Sequence, residues 1–194
     1  MQIDADGTPR ERLLAAAAEL FYQDGIRSVG IGRLLQRAGV AKASLYDAFG
    51  SKDELVAAYL KDRHDAMREH FRRAIARGRA PRARVLAPFD VQAEFAADST
   101  YRGCAFAHAA AESHAASVDT AASDYRRWIR KTFADLAEEA GAADPSTLAI
   151  QLHALWDGAA QSLQMDHDPE VVRAARDAAA ALLDAALPVT NKAL

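Results

Sequence analysis

The placement of helix punctuation is the feature that most limits what this chain can fold into. Apolar stretches of helical period are opened by capping residues or prolines and closed by single glycines. Thr8-Pro9-Arg10-Glu11 sets a capping hydroxyl, a proline at the first helical position and a glutamate at the third. Leu13, Leu14, Ala17, Leu20 and Phe21 follow on one stripe until Gly25. After Gly30-Ile31-Gly32, the residues Leu34, Leu35 and Ala38 mark a short second helix that stops at Gly39. A third runs from about Ala41 to Phe49 and stops at Gly50. Ser51-Lys52-Asp53-Glu54 is a second capping box, opening a long helix with Leu55, Val56, Tyr59, Leu60, Met67 and Phe71 that reaches about Arg77. Further helices are expected at about 83–97, 103–116, 118–140, 145–165 and 169–187. Asp144-Pro145 and Asp168-Pro169 supply a cap and a proline for the last two. The expected fold class is all-α, with about nine helices.

Composition narrows the functional classes. Alanine dominates the 51% of residues that are hydrophobic, while aromatics are 7%, as suits a helical chain. No apolar run approaches the roughly 18 residues of a membrane span. The opening Met-Gln-Ile-Asp-Ala-Asp lacks a signal-peptide layout, and the single cysteine cannot close an internal disulfide. The expectation is a soluble cytoplasmic protein. Gly-rich phosphate loops, nucleophile elbows, zinc-protease motifs and paired-carboxylate signatures do not occur, so neither an enzyme nor a cofactor is expected. The net charge of −3 hides an asymmetry: residues 1–84 carry 16 Lys and Arg against 11 Asp and Glu, the remainder 8 against 16. A basic head on an acidic body suits a polyanion-binding protein without establishing one.

Two short helices joined by the tight turn Ala38-Gly39-Val40, braced by a longer preceding helix, are the parts of a helix-turn-helix. Any compact three-helix unit would share that spacing; the residues themselves are more specific. The stretch Arg12-Leu-Leu-Ala-Ala-Ala-Ala-Glu-Leu-Phe21, then Gly25-Ile26, then Ala38-Gly-Val-Ala-Lys-Ala-Ser-Leu-Tyr-Asp-Ala-Phe-Gly-Ser-Lys52-Asp-Glu-Leu55 closely resembles the N-terminal domain of TetR-family regulators. Later, Tyr101-Arg-Gly-Cys-Ala-Phe-Ala-His-Ala-Ala-Ala-Glu112 resembles an Arg-Gly-Cys…Ala-Ala-Glu segment of one TetR subgroup, as does the run Ala140–Pro145. The resemblance implies a helix-turn-helix domain over residues 1–55 and a helical ligand-binding and dimerisation domain over 56–194. It also implies a transcriptional repressor that binds a palindromic double-stranded DNA operator as a homodimer and is released by a small-molecule effector.

The same resemblance places the third helix in the major groove, presenting Lys42, Ala43, Ser44 and Asp47 toward base edges. Tyr46 and Lys52 match the family's phosphate-contacting tyrosine and lysine, against a core aromatic and a solvated lysine as the plainer readings. Arg27, Arg33 and Arg37 could add sequence-independent contacts. Val29 and Gly30 depart from the Thr or Ser common at the second helix's start, so a phosphate contact is expected to be lost there, with Arg33 compensating. Family members dimerise through their last two helices, here about 145–187. Leu148, Leu152, Leu155, Ala159 and Leu163, with Val171, Val172, Ala175, Ala179, Leu182 and Leu183, fit such a face or the chain's own core.

Candidate effector contacts are the aromatic and polar groups that alanine-rich helices cannot cover: Phe89, Phe95, Phe106, Tyr125, Trp128, Phe133 and Trp156. Cys104, His108 and Glu112 stand at i, i+4 and i+8 and should share a helix face. A small buried hydrophobe beside a core or pocket histidine, a thiol sensor, and a partial metal site are the three readings. The first is preferred, so Cys104 and His108 join the effector contacts and no metal is assigned. The rival functions are a thiol-responsive regulator without a reversible ligand, and a helical adaptor using the basic stretch Lys61–Arg84.

Overall fold

The computed structural model describes residues 7–187, and every described element is helical. The order is α1 (Pro9–Asp24), α2 (Ile31–Ala38), α3 (Lys42–Phe49), α4 (Lys52–Arg77), α5 (Pro81–Ala96), α6 (Ala105–Glu112), α7 (Ala116–Glu139), α8 (Pro145–Asp166) and α9 (Glu170–Ala186). These nine match the expected number, and most ends fall within two residues of the expected ones. The sixth is the exception, shorter than 103–116 at both ends. Gly103 has φ +92°, Cys104 is extended, and Ser113 is extended again, so neither flank can continue the helix.

The described chain forms two compact units. One gathers the residues up to Ala66 with Cys104–Tyr125; the other gathers Met67–Gly103 with the residues from Arg126 onward. Packing therefore does not divide at residue 55, where the sequence suggested a change of role. The chain passes from one unit to the other three times: inside α4, at Gly103–Cys104 between α5 and α6, and inside α7.

In the first unit, α2 and α3 pack on α1. Thr8 and Glu11 close the capping box: Thr8 N–H donates to Glu11 Oε2 at 2.8 Å, and Glu11 N–H to Thr8 Oγ1 at 3.3 Å. The core combines Leu13, Ala16, Ala17, Leu20 and Phe21 of α1 with Val29, Leu34, Ala38 and Leu45. Leu55, Val56, Tyr59 and Leu60 from α4 complete it. Phe21 meets the Tyr59 ring edge-on at 5.8 Å, and burial pushes the Tyr59 phenol up to about 12. The α2–α3 turn is a Schellman motif: Val40 N–H reaches Leu35 O and Gly39 N–H reaches Gln36 O, with Gly39 left-handed at φ 63°, ψ 42°. Arg12 Nη1 then donates to Gly39 O at 3.3 Å, tying α1 to that turn.

In the second unit, α5, α8 and α9 pack together around Val85, Leu86, Phe89, Leu148, Leu152, Trp156, Leu163, Val172 and Leu183. Arg82–Asp184 and Arg176–Asp90 add ion pairs between α5 and α9. Asp144 caps α8, accepting Thr147 N–H at 3.0 Å; hydrogen bonding by the Thr147 side chain, then by its backbone, holds the Asp144 carboxyl below the ordinary aspartate value. His153 is 2% exposed on α8. Burial pushes its imidazole below the usual histidine value; nearby Arg126 and Arg130 act in the same direction, and Asp157, 3.6 Å away, opposes them.

Two outcomes follow. Gly39→Ala should lower unfolding stability by about 1–2 kcal/mol in urea titrations, because a Cβ is disfavoured in the left-handed region. A neutral His153 binds protons less readily than it would unfolded, so its contribution is present at pH 7–8 and is lost as pH falls through the ordinary histidine range. His153→Phe should flatten that part of a stability-versus-pH curve between pH 7 and 5.

Candidate nucleic-acid interface

The turn at Gly39 sets α3 across the head with only Leu45 fully buried. Lys42, Ala43, Tyr46 and Asp47 are exposed on it, and Ser44 is half-buried. Four successive-turn positions thus share one solvent-facing side. Tyr46 is 43% exposed, which excludes the plainer reading of it as a core aromatic. Lys42 Nζ lies 5.8 Å from the Tyr46 ring centre, so cation and phenol form one patch. An exposed helix carrying a cation, a phenol, a methyl group and a carboxylate offers the donor, acceptor and apolar groups that base edges distinguish.

The surrounding cations are not equivalent to Lys42. Arg33 is exposed on α2 but paired to Asp24 at 2.7 Å, and Arg37 to Glu19 at 2.6 Å. Both pairs join α2 to α1. Lys52 turns inward: Nζ donates to Ile26 O at 2.6 Å and lies 5.7 Å from the Phe21 ring centre. Burial holds its ammonium below the ordinary lysine value, with Asp53 and Glu112 opposing the shift. The solvated reading does not describe this side chain, which braces the α1–α2 turn. Val29 is fully buried and Gly30 caps α2 with no side-chain bond, as the departure at those positions implied.

The candidate effector residues fall into two groups, one per unit. In the first, the Phe106 and Tyr125 rings stack at 3.7 Å, both edge-on to His64. Cys104 and His108, both half-buried, are in this unit. In the second, Phe71 contacts Trp128 and Trp156 at 5.0 and 5.1 Å, and Phe89 contacts Trp156 and Phe133 at 6.2 and 6.0 Å. Phe95 stacks on Tyr101 and meets His70 edge-on. Gln92, missed in the sequence because a lone glutamine carries no pattern, is 2% exposed and donates Nε2 to Trp156 O at 2.7 Å.

Several expectations change. Cys104, His108 and Glu112 do not share a helix face, because Cys104 is the extended cap of α6. The Glu112 carboxylate instead accepts Arg27 N–H at 2.8 Å. Among the described residues, no three His, Cys, Asp or Glu side chains gather as a metal site requires. The apolar set at 145–187 mainly fills the chain's own core: Leu148, Leu152, Ala159, Leu163, Val172, Ala179 and Leu183 are buried within it. The basic stretch Lys61–Arg84 is largely compensated, through Lys61–Asp65, Arg72–Glu69, Arg77–Glu94, Arg82–Asp184 and Arg84–Glu139. That removes most of the support for an adaptor surface there. No helix among the described residues is long and apolar enough to cross a membrane.

A head of this geometry defines a helix-turn-helix protein, with α3 as its exposed reading helix. The profile described as "Bacterial regulatory proteins, tetR family" matches residues 13–59, spanning that head and its brace from α4. SCO4454, a TetR-family transcriptional regulator from Streptomyces coelicolor, superposes with a TM-score of 0.86 at 32% identity, covering 93% of this chain and 96% of that one. A TetR-type regulator from Streptomyces avermitilis gives 0.80 at 35% identity, over 93% and 98%. The HTH-type transcriptional activator FasR of Mycolicibacterium smegmatis is 39% identical over 66 residues, which is 34% of this chain and 30% of that protein. The chain belongs to the TetR family of transcriptional regulators, DNA-binding proteins that typically work as dimers.

The inward Lys52 makes a distinguishing outcome. Lys52→Met should cost about 1–2 kcal/mol of unfolding stability, since it orphans the Ile26 carbonyl. A lysine serving phosphate alone would leave the urea midpoint unchanged.

Proposed function

We propose that this regulator is a repressor that binds a palindromic operator as a homodimer and leaves it when a small molecule binds the rest of the chain. The observation that carries the reading is the exposed α3 face of Lys42, Ala43, Tyr46 and Asp47, presented by a stapled turn. In this reading residues 1–55 dock on DNA and 56–194 sense and dimerise, within the cytoplasm where the operator lies. Lys42 donates to a base acceptor, Ala43 meets a thymine methyl, and Ser44 adds a hydroxyl. Asp47 accepts from a cytosine amino group, and Tyr46 reaches phosphate. Arg33 reaches phosphate only by loosening its pair with Asp24. Lys52 serves DNA by positioning the turn.

One head covers one half-site, so useful affinity needs two. A second face of α8 and α9 supports the dimer. On α8, Ile150 (55% exposed), Ala154, Gly158 and Met165 (70% exposed) are solvent-facing, and on α9 so are Ala174, Ala178, Ala181 and Ala185. Small residues at helical spacing allow the close approach of a self-complementary four-helix contact. These are not the positions that fill the core, so one helix pair can serve both. The effector contacts we propose are Phe89, Phe95, Trp128 and Trp156 in the second unit, with Cys104, Phe106, His108 and Tyr125 in the first. The Arg-Gly-Cys…Ala-Ala-Glu run supports placing the chain in the corresponding TetR subgroup. Repression follows if the operator overlaps a promoter, and effector release requires tighter binding to the DNA-incompetent state.

Selection from a random duplex pool by the purified full chain tests the reading. The expected product is a two-fold symmetric sequence whose affinity falls steeply with salt. Lys42→Ala should lower that affinity about tenfold and relax one base position in each half-site. A reporter driven from the selected site should be silenced. Recovery of no preferred duplex, or activation of the reporter, would reject the DNA reading or the repressor reading respectively.

A further inference from the structure

One peptide group in the head is held at both ends by side chains from outside α1–α3. It is the peptide joining Ile26 to Arg27, in the turn that leads from α1 into α2. Its carbonyl accepts the Lys52 ammonium at 2.6 Å, from the first residue of α4. Its N–H donates to Glu112 Oε2 at 2.8 Å, from the last residue of α6. The peptide dipole thus lies between a cation at its oxygen and an anion at its nitrogen, so flipping the peptide would reverse both interactions. Arg27 reinforces the second contact, donating Nε to the Glu112 backbone carbonyl at 2.8 Å.

Two details show that the joint is built into the sequence. Gly25 has φ +84°, which already favours glycine, and a Cβ there would also sit 3.0 and 3.1 Å from the Glu112 carboxylate oxygens. An acidic residue at the end of a helix also opposes the helix dipole, and Glu112 ends α6. A contact outside the helix compensates that unfavourable position.

We propose that Glu112 is a positioning residue for DNA binding. By clamping the 26–27 peptide against Lys52, it fixes where α2 begins and so how α3 is presented. The proposal rests on α3 being the DNA-reading helix.

The test compares Glu112→Ala with Glu112→Gln in the full chain. Glutamine retains an oxygen acceptor for Arg27 N–H; alanine does not. Affinity is measured for the duplex recovered by selection, alongside residue-resolved amide hydrogen exchange and the thermal midpoint. Glu112→Ala should weaken the duplex about tenfold and speed exchange about tenfold at residues 26–30, as loss of one charge-assisted hydrogen bond would. Exchange in α5, α8 and α9 should not change, and Glu112→Gln should recover most of both effects. Wild-type exchange and affinity in the alanine variant would overturn the proposal. So would faster exchange throughout the chain, which marks a general loss of stability, or a glutamine variant as impaired as alanine. If the wild-type chain selects no duplex, the DNA reading fails, and exchange at 26–30 and across α3 still decides whether Glu112 holds the turn.

Discussion

A three-helix head of this size has too little interior to be stable by itself, and that shortage organises the structure around it. The strip from Leu13 to Phe21 finds Ile26, Val29, Leu34, Ala38 and Leu45 within α2, α3 and their connections. The missing apolar surface comes from Leu55, Val56, Tyr59 and Leu60 at the start of α4. Because α4 completes the core of the head, no flexible linker can follow α3. The compact unit consequently runs to Ala66 and takes in residues 104–125 as well. The packing boundary between Ala66 and Met67 therefore falls inside α4, beyond the residues that complete the head's core.

The same economy governs charge. The head is mildly basic by count, yet many of its cations are committed internally. Arg12 staples the turn, Arg33 and Arg37 pair with α1 carboxylates, and Lys52 braces the Ile26 carbonyl. Exposed ion pairs such as Arg33–Asp24 contribute little to stability and exchange readily for phosphate. Lys52 differs because its partner is a backbone carbonyl beside an aromatic ring, and leaving it orphans that oxygen. On α3, Lys42 stands out as the exposed cation beside an aromatic surface.

Alternation between core and surface on α8 and α9 shows why apolar patterning read in sequence can misassign an interface. A helical stripe of leucines announces burial without saying what it is buried against. Here the leucines meet α5 and each other, while Ala154, Gly158, Ile150 and Met165 of α8 and Ala174, Ala178, Ala181 and Ala185 of α9 stay outside. The core stripe and the solvent-facing stripe lie on the same helices, rotated from one another by about 100°–180°.

The helices, their order and the turn at Gly39 are legible in the chain's local chemistry. Capping boxes, N-terminal prolines and terminal glycines act within a few residues, so local chemistry suffices; the capping box at Thr8 and the Schellman turn at Gly39 are legible for that reason. Tyr46 and Lys42 were legible as exposed groups of a matched motif. Helix α6 misled because its ends are set by Gly103 and extended Cys104 rather than by helical periodicity. Tertiary structure alone decided which way each charged side chain turns. Lys52 and Glu112 stand 60 residues apart in the chain, yet they close on the two ends of one peptide group. No local rule encodes that meeting, because it depends on α4 and α6 both being folded beside the same turn.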